Sequence, residues 1–137
     1  MLLSQLRVNA ATNATLLSSG GGGVQVSEFL WGNTAHADVC LSSLLFAGKP
    51  CDFIIGSDIT YMRGSWDKLL SSVRYLMDNN NGVGTNKPPT AIFAFQERNT
   101  PVREFMEHCE KFEMSAFHCY SDRTNGVSVV QLDCRRS

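Results

Sequence analysis

The chain has 137 residues, 43% apolar and 18% charged, with a net charge of -1. That length suits one domain with a single core, and the composition is globular rather than disordered. Acids and bases are interspersed, which excludes a field that would steer the protein to nucleic acid or an anionic membrane. No apolar run approaches the ~20 residues of a membrane helix. Five cysteines (Cys40, Cys51, Cys109, Cys119, Cys134) with no Cys-x-x-Cys pair argue against a disulfide framework and a zinc site. They argue instead for reduced thiols inside a cell.

Leu2, Leu3, Leu6, Ala10, Leu16 and Leu17 recur at helical spacing and predict an amphipathic helix at the start of the chain. This stretch has no acid before Glu28, but Arg7 is its only base, so it reads as a helix and not as a transit peptide. The sequon Asn13-Ala14-Thr15 reads as chance without a signal peptide. Residues 18–23 form a flexible break. Val24-Gln25-Val26-Ser27-Glu28-Phe29 predicts a strand, ended by Leu30-Trp31-Gly32-Asn33.

Residues 34–50 read as a loop with an apolar patch at 41–46. Phe53-Ile54-Ile55-Gly56 is a continuous apolar run, as expected of a central parallel strand covered on both faces. Ser65 stands where a cap should stand for a helix burying Trp66, Leu69, Leu70, Val73, Leu76 and Met77. Asn79-Asn80-Asn81-Gly82 stops that helix. After a Gly/Pro-rich loop, Thr90-Ala91-Ile92-Phe93-Ala94-Phe95 predicts a second buried strand. Thr100-Pro101 supplies a cap and a first-turn proline for a helix burying Val102, Phe105, Met106, Cys109 and Phe112. Two late strands, about 114–120 and 127–132, meet at Thr124-Asn125-Gly126, a turn signal for an antiparallel pair. Alternation followed by a hairpin predicts an α/β fold, a mostly parallel sheet with an antiparallel end.

In open α/β sheets, ligands bind at the carboxyl ends of strands. Three places meet that condition. The first is Ser57-Asp58-Ile59-Thr60-Tyr61, where so apolar a strand needs no acid for packing, so Asp58 is a functional candidate. Its structural alternative is a cap for the next turn, and that of Tyr61 is half-buried packing. The second is Gln96-Glu97-Arg98-Asn99, which faces the same crevice if the two strands are neighbours; a solvated ion pair is the favoured reading of Arg98. The third is Trp31-Gly32, which offers a purine a flat ring or a backbone amide, against the alternative of a core aromatic.

Other signals carry less. The glycines at 20–23 precede a strand, the wrong context for a phosphate-cradling loop. His108-Cys109 and His118-Cys119 are best explained by buried structural cysteines, and His36 is a loop histidine without a recognisable partner.

Taken in order, Leu6-x-x-Asn9-x-x-x-Asn13, a strand ending in Leu30-Trp31-Gly32, and Cys51-Asp52-Phe53-Ile54-Ile55-Gly56-Ser57-Asp58-Ile59-Thr60-Tyr61 resemble the methyltransferase-like 21 group. These are protein-lysine methyltransferases of the seven-β-strand, S-adenosylmethionine-dependent class. Members carry an Asn-rich helix after the second strand, a Leu-x-Trp-Gly turn after the third and an Asp-x-x-Tyr motif after the fourth. The helix from Trp66 and the Gln96-Glu97-Arg98 turn fall in register, so the resemblance covers nearly the whole chain.

The resemblance implies a Rossmann-like sheet and methyl transfer from S-adenosylmethionine to a protein lysine, in the cytoplasm or nucleus. It implies that Asp58 and Tyr61 are catalytic, that Trp31 and Asp58 contact the cofactor, and that Glu97 supports the substrate side. The expected partner is a protein carrying the acceptor lysine, with no nucleic acid, membrane or metal. The family's glycine-rich loop and first two strands find no counterpart, so residues 1–137 read as a partial methyltransferase domain, with cofactor binding and activity weakened or lost. The missing strands would separate the strand at 24–29 from the rest, leaving it without a neighbour. The rival readings are a non-catalytic interaction module and a fragment of another nucleotide-binding α/β enzyme.

Overall fold

The computed structural model describes residues 2–43, 50–80, 88–97 and 101–135. In chain order the elements are α1 (Leu2–Thr12), α2 (Ala14–Ser19), α3 (Thr34–Leu41), β1 (Phe53–Ser57), α4 (Trp66–Asp78), β2 (Thr90–Gln96), α5 (Val102–Cys109), β3 (Met114–Asp122) and β4 (Val127–Cys134). The four strands form one sheet in the order β1-β2-β4-β3. The β1–β2 pair is parallel, while β2–β4 and β3–β4 are antiparallel. The α/β class stands. The sheet is not mostly parallel, however, because only one of its three pairings needs a crossover.

The core lies between one face of this sheet and helices α4 and α5. Ala91, Phe93 and Phe95 alternate inward along β2 and meet Val130 and Leu132 of β4 and Met114 of β3. From the helices come Trp66, Leu69, Leu70, Val73 and Met77, then Phe105 and Cys109. The expected stripe of α4 is present except that Ser72 is buried and Leu76 only half-buried. Phe105, with no exposed surface, sits in an aromatic cluster, 5.3 Å from Trp66 and 5.8 Å from Phe95 between ring centroids. The hairpin turn contains Gly126 at φ 63, the left-handed geometry for which Asn-Gly is suited.

Several expectations are corrected. Among the described residues, 24–29 form no strand and join no sheet, and the segment is exposed to half-buried. Residues 34–41 are helix, not loop, because the Asn33 side chain accepts from the His36 amide and starts the turn. The opening helix breaks at Asn13, and neither half buries a residue. Among the described residues β1 stands at the edge of the sheet rather than at its centre, with Phe53 57% and Ile55 77% exposed. Ser65 gives α4 no side-chain cap, since its hydroxyl donates back to the Met62 carbonyl at 2.7 Å. Pro101 occupies the cap position of α5 itself; Thr100, like residues 81–87, lies outside the described residues.

Candidate functional site

β1 and β2 run parallel with Ser57 opposite Ala94, so the segments that follow both strands lie at the same end of the sheet. The Asp58 amide donates to the Ala94 carbonyl at 2.8 Å and extends the ladder by one step. The chain then turns sharply, with Asp58 at φ 53 in the left-handed region. Aspartate tolerates that conformation better than most residues, because its short polar chain bonds locally.

Two contacts hold the turn against the core. The buried Trp66 indole donates to the Thr60 carbonyl at 2.8 Å, and Thr60 is itself buried. Gly56 leaves room for the second: a Cβ there would lie 2.5 Å from Ile59 and 2.8 Å from Phe93. Ile59 therefore folds back over the strand end, while Asp58 and Tyr61 point outward, Tyr61 with 64% of its surface exposed. Nothing in the sequence pattern gave Trp66 this anchoring role; its place on the helical stripe explained it already.

Glu97 reaches the same sheet end but is committed elsewhere. Its carboxylate accepts a short hydrogen bond from the Ser128 hydroxyl and another from the Val102 amide at 2.9 Å, which caps α5. These bonds, Ser128 first and Val102 second, hold its carboxyl below the usual glutamate range. A group whose folded pKa is depressed adds stability above its unfolded pKa, and that stability is lost as pH falls through the folded value. The urea midpoint of the protein should therefore fall as pH drops below about 4.5, and fall less steeply in Glu97→Gln. Equal acid slopes in the two proteins would refute the capping role. Arg98 and Asn99 lie outside the described residues.

Trp31 is placed apart from these groups. It packs against the helix layer and lines an open pocket with Lys68, Ser71, Lys111 and Phe112 that includes neither Asp58, Tyr61 nor Glu97. Gly32, at φ 83, turns its amide onto the Ser72 hydroxyl at 2.7 Å, so this amide is already bonded within the protein. Trp31 is thus set apart, in the pocket it lines, from the 58–61 turn and from Glu97.

The secondary candidates resolve as follows. Cys109 is fully buried and its thiol is pushed up to about 12 by desolvation, as expected of a structural cysteine. Cys119 is exposed and not a core residue, because it lies on β3 at the sheet's far edge. His36 does have a partner: its ring accepts from the Leu30 amide at 3.1 Å. Among the described residues no cluster of His, Cys, Asp or Glu could hold a metal, and no helix is long and apolar enough to cross a membrane.

The lysine methyltransferase family matches this chain over residues 2–112, from the first helix through the 58–61 turn to the end of the α5 region. The chain belongs to the lysine methyltransferase family. None of the curated proteins compared with it matches. Within a lysine methyltransferase, an outward-facing acid and tyrosine on a turn anchored to the core suit recognition of a cationic or amine-bearing group.

Proposed function

We propose that this chain is the acceptor-side part of a protein-lysine N-methyltransferase domain. The family match across the 58–61 turn carries the reading. In this family the methyl donor is S-adenosylmethionine, whose sulfonium supplies an activated methyl group. Asp58 accepts a hydrogen bond from the incoming lysine amine and orients it, and Tyr61 walls the channel along which the side chain enters. Trp31 is assigned to the adenine and Glu97 to the substrate side by resemblance. In the present arrangement Trp31 lies on the helix layer and Glu97 serves α5.

The segment at 24–29, which pairs with no strand among the described residues, and the exposed Phe53 and Ile55 support the reading of residues 1–137 as a partial domain lacking its first two strands. Calorimetric titration of the 137-residue chain with S-adenosylmethionine tests this. No binding heat is expected up to millimolar cofactor, and micromolar affinity would overturn the partial-domain reading. The bonding of Gly32 to Ser72 and of Glu97 to Ser128 favours one rival, a folded interaction module with no catalysis of its own.

A further inference from the structure

We propose that His108 is a positioning residue for the 58–61 turn, which it reaches through the indole of Trp66. The inference rests on the reading of that turn as the acceptor side of the domain. Its contacts run from α5 through the start of α4 to the turn.

Trp66 opens α4 and is buried. Two rings of α5 meet its indole at steep angles: Phe105 at 5.3 Å and 77°, and His108 at 5.3 Å and 67°. The two stand three residues apart, on one face of the helix. Phe105 is wholly buried and can only pack. His108 can do more, because its side chain keeps 21% of its surface exposed and its ring can change charge.

Both ring nitrogens of His108 are engaged. Nε2 lies 2.7 Å from an Asp67 carboxylate oxygen, and Nδ1 lies 3.4 Å from the Lys111 ammonium. A carboxylate only accepts and an ammonium only donates. The neutral ring therefore satisfies both in one tautomer, with the proton on Nε2 and the lone pair on Nδ1. A second proton must enter at Nδ1, facing the ammonium. The Asp67 bond then survives, the Lys111 contact is lost, and a positive charge stands beside the indole. Of the other charged groups nearby, Lys68 lines the same open pocket as Asp67 and Lys111, and Glu104, one turn earlier on α5, pairs with Arg63 at 2.9 Å.

The indole carries this change to the turn. Its N–H donates to the Thr60 carbonyl at 2.8 Å, and that carbonyl shares one peptide plane with the Tyr61 amide. A charge beside the indole polarises its N–H and, through the hydrogen bond, the Thr60–Tyr61 peptide. His108 thus acts at second hand on the backbone between Asp58 and Tyr61.

Nuclear magnetic resonance of the 137-residue chain is the test. The sequence has two tryptophans, Trp31 and Trp66, so Trp31→Phe identifies the Trp66 indole signal. As pH is taken from 8 to 5, the range in which histidine ordinarily changes charge, the Trp66 indole and the Tyr61 amide should shift with one common midpoint. His108→Gln keeps a donor and an acceptor but cannot titrate, and should abolish both shifts with unchanged far-ultraviolet circular dichroism. Asp67→Asn and Lys111→Gln should move the midpoint in opposite directions, since the carboxylate favours the imidazolium and the ammonium opposes it. These two surface variants decide the matter even where His108→Gln fails to fold. A Tyr61 amide that does not follow the indole overturns the proposal, as does a titration that survives His108→Gln or a midpoint that neither surface variant moves. No cofactor or acceptor enters this experiment, so its failure strikes the His108 role alone; the acceptor-side reading fails separately, on turnover of Asp58 variants.

Discussion

Phe105→Ala should cost about 3–5 kcal/mol, the range for truncating a fully buried aromatic. Small domains have a total stability of about 5–15 kcal/mol, so this one change should bring the chain near its unfolding midpoint in water. Phe105 has no exposed surface and touches the rings of Trp66, Phe93 and Phe95. The void left would adjoin both helices and the central strand, and none of these can move in without breaking the ladder or the indole bond. Urea unfolding followed by circular dichroism measures the loss. Phe117→Ala, at a side chain 51% exposed, should change the midpoint little. A loss below about 1 kcal/mol for Phe105→Ala would mean that α5 does not pack on the sheet as described.

Asp58→Ala should reduce methyl transfer by at least about 10²-fold, the range for removing a positioned polar group at a reacting centre. On the proposed partial-domain reading, the measurement uses the chain joined to an upstream half that carries the cofactor loop, with labelled S-adenosylmethionine and a lysine-bearing protein. Alanine also loses the tolerance that aspartate has for the left-handed backbone at φ 53, at a cost of about 1 kcal/mol. Asp58→Asn separates the two effects, because asparagine accepts that backbone yet lacks the charge. Both variants should lose turnover, while only the alanine should lose measurable stability. Near-normal turnover in the asparagine variant would remove Asp58 from the chemistry.

The elements legible in the sequence were those whose pattern and environment agree. The run at 90–95 is a strand that buries Ala91, Phe93 and Phe95, the stripe from Trp66 is buried except at Leu76, and Asn125-Gly126 turns the hairpin. Failures occurred where a local pattern depends on a distant partner. Residues 24–29 have the composition of a strand, but strand formation needs a neighbouring ladder, which a single segment cannot reveal. Phe53 and Ile55 read as doubly covered because an apolar run shows only that burial would be favourable, not that the described residues include a layer to provide it.

The helix at Thr34–Leu41 was missed although its signal was there, an asparagine one position before it. At the candidate site, Asp58 and Tyr61 stand where the strand–turn rule puts them. The commitment of Glu97 to Ser128 was not legible, because the two are 31 positions apart and meet only through the β2–β4 pairing.

The bond from the Trp66 indole to the Thr60 carbonyl bears on how the turn can move. A surface loop usually opens on its own, at a free energy far below that of global unfolding. Here, displacing residues 58–61 would strand the indole proton in an apolar interior, or draw the ring out from against Phe105. The turn therefore breathes with the helix layer rather than as a lid. Any ligand that meets Asp58 and Tyr61 meets a surface already fixed, and the adjustment in recognition falls to the ligand.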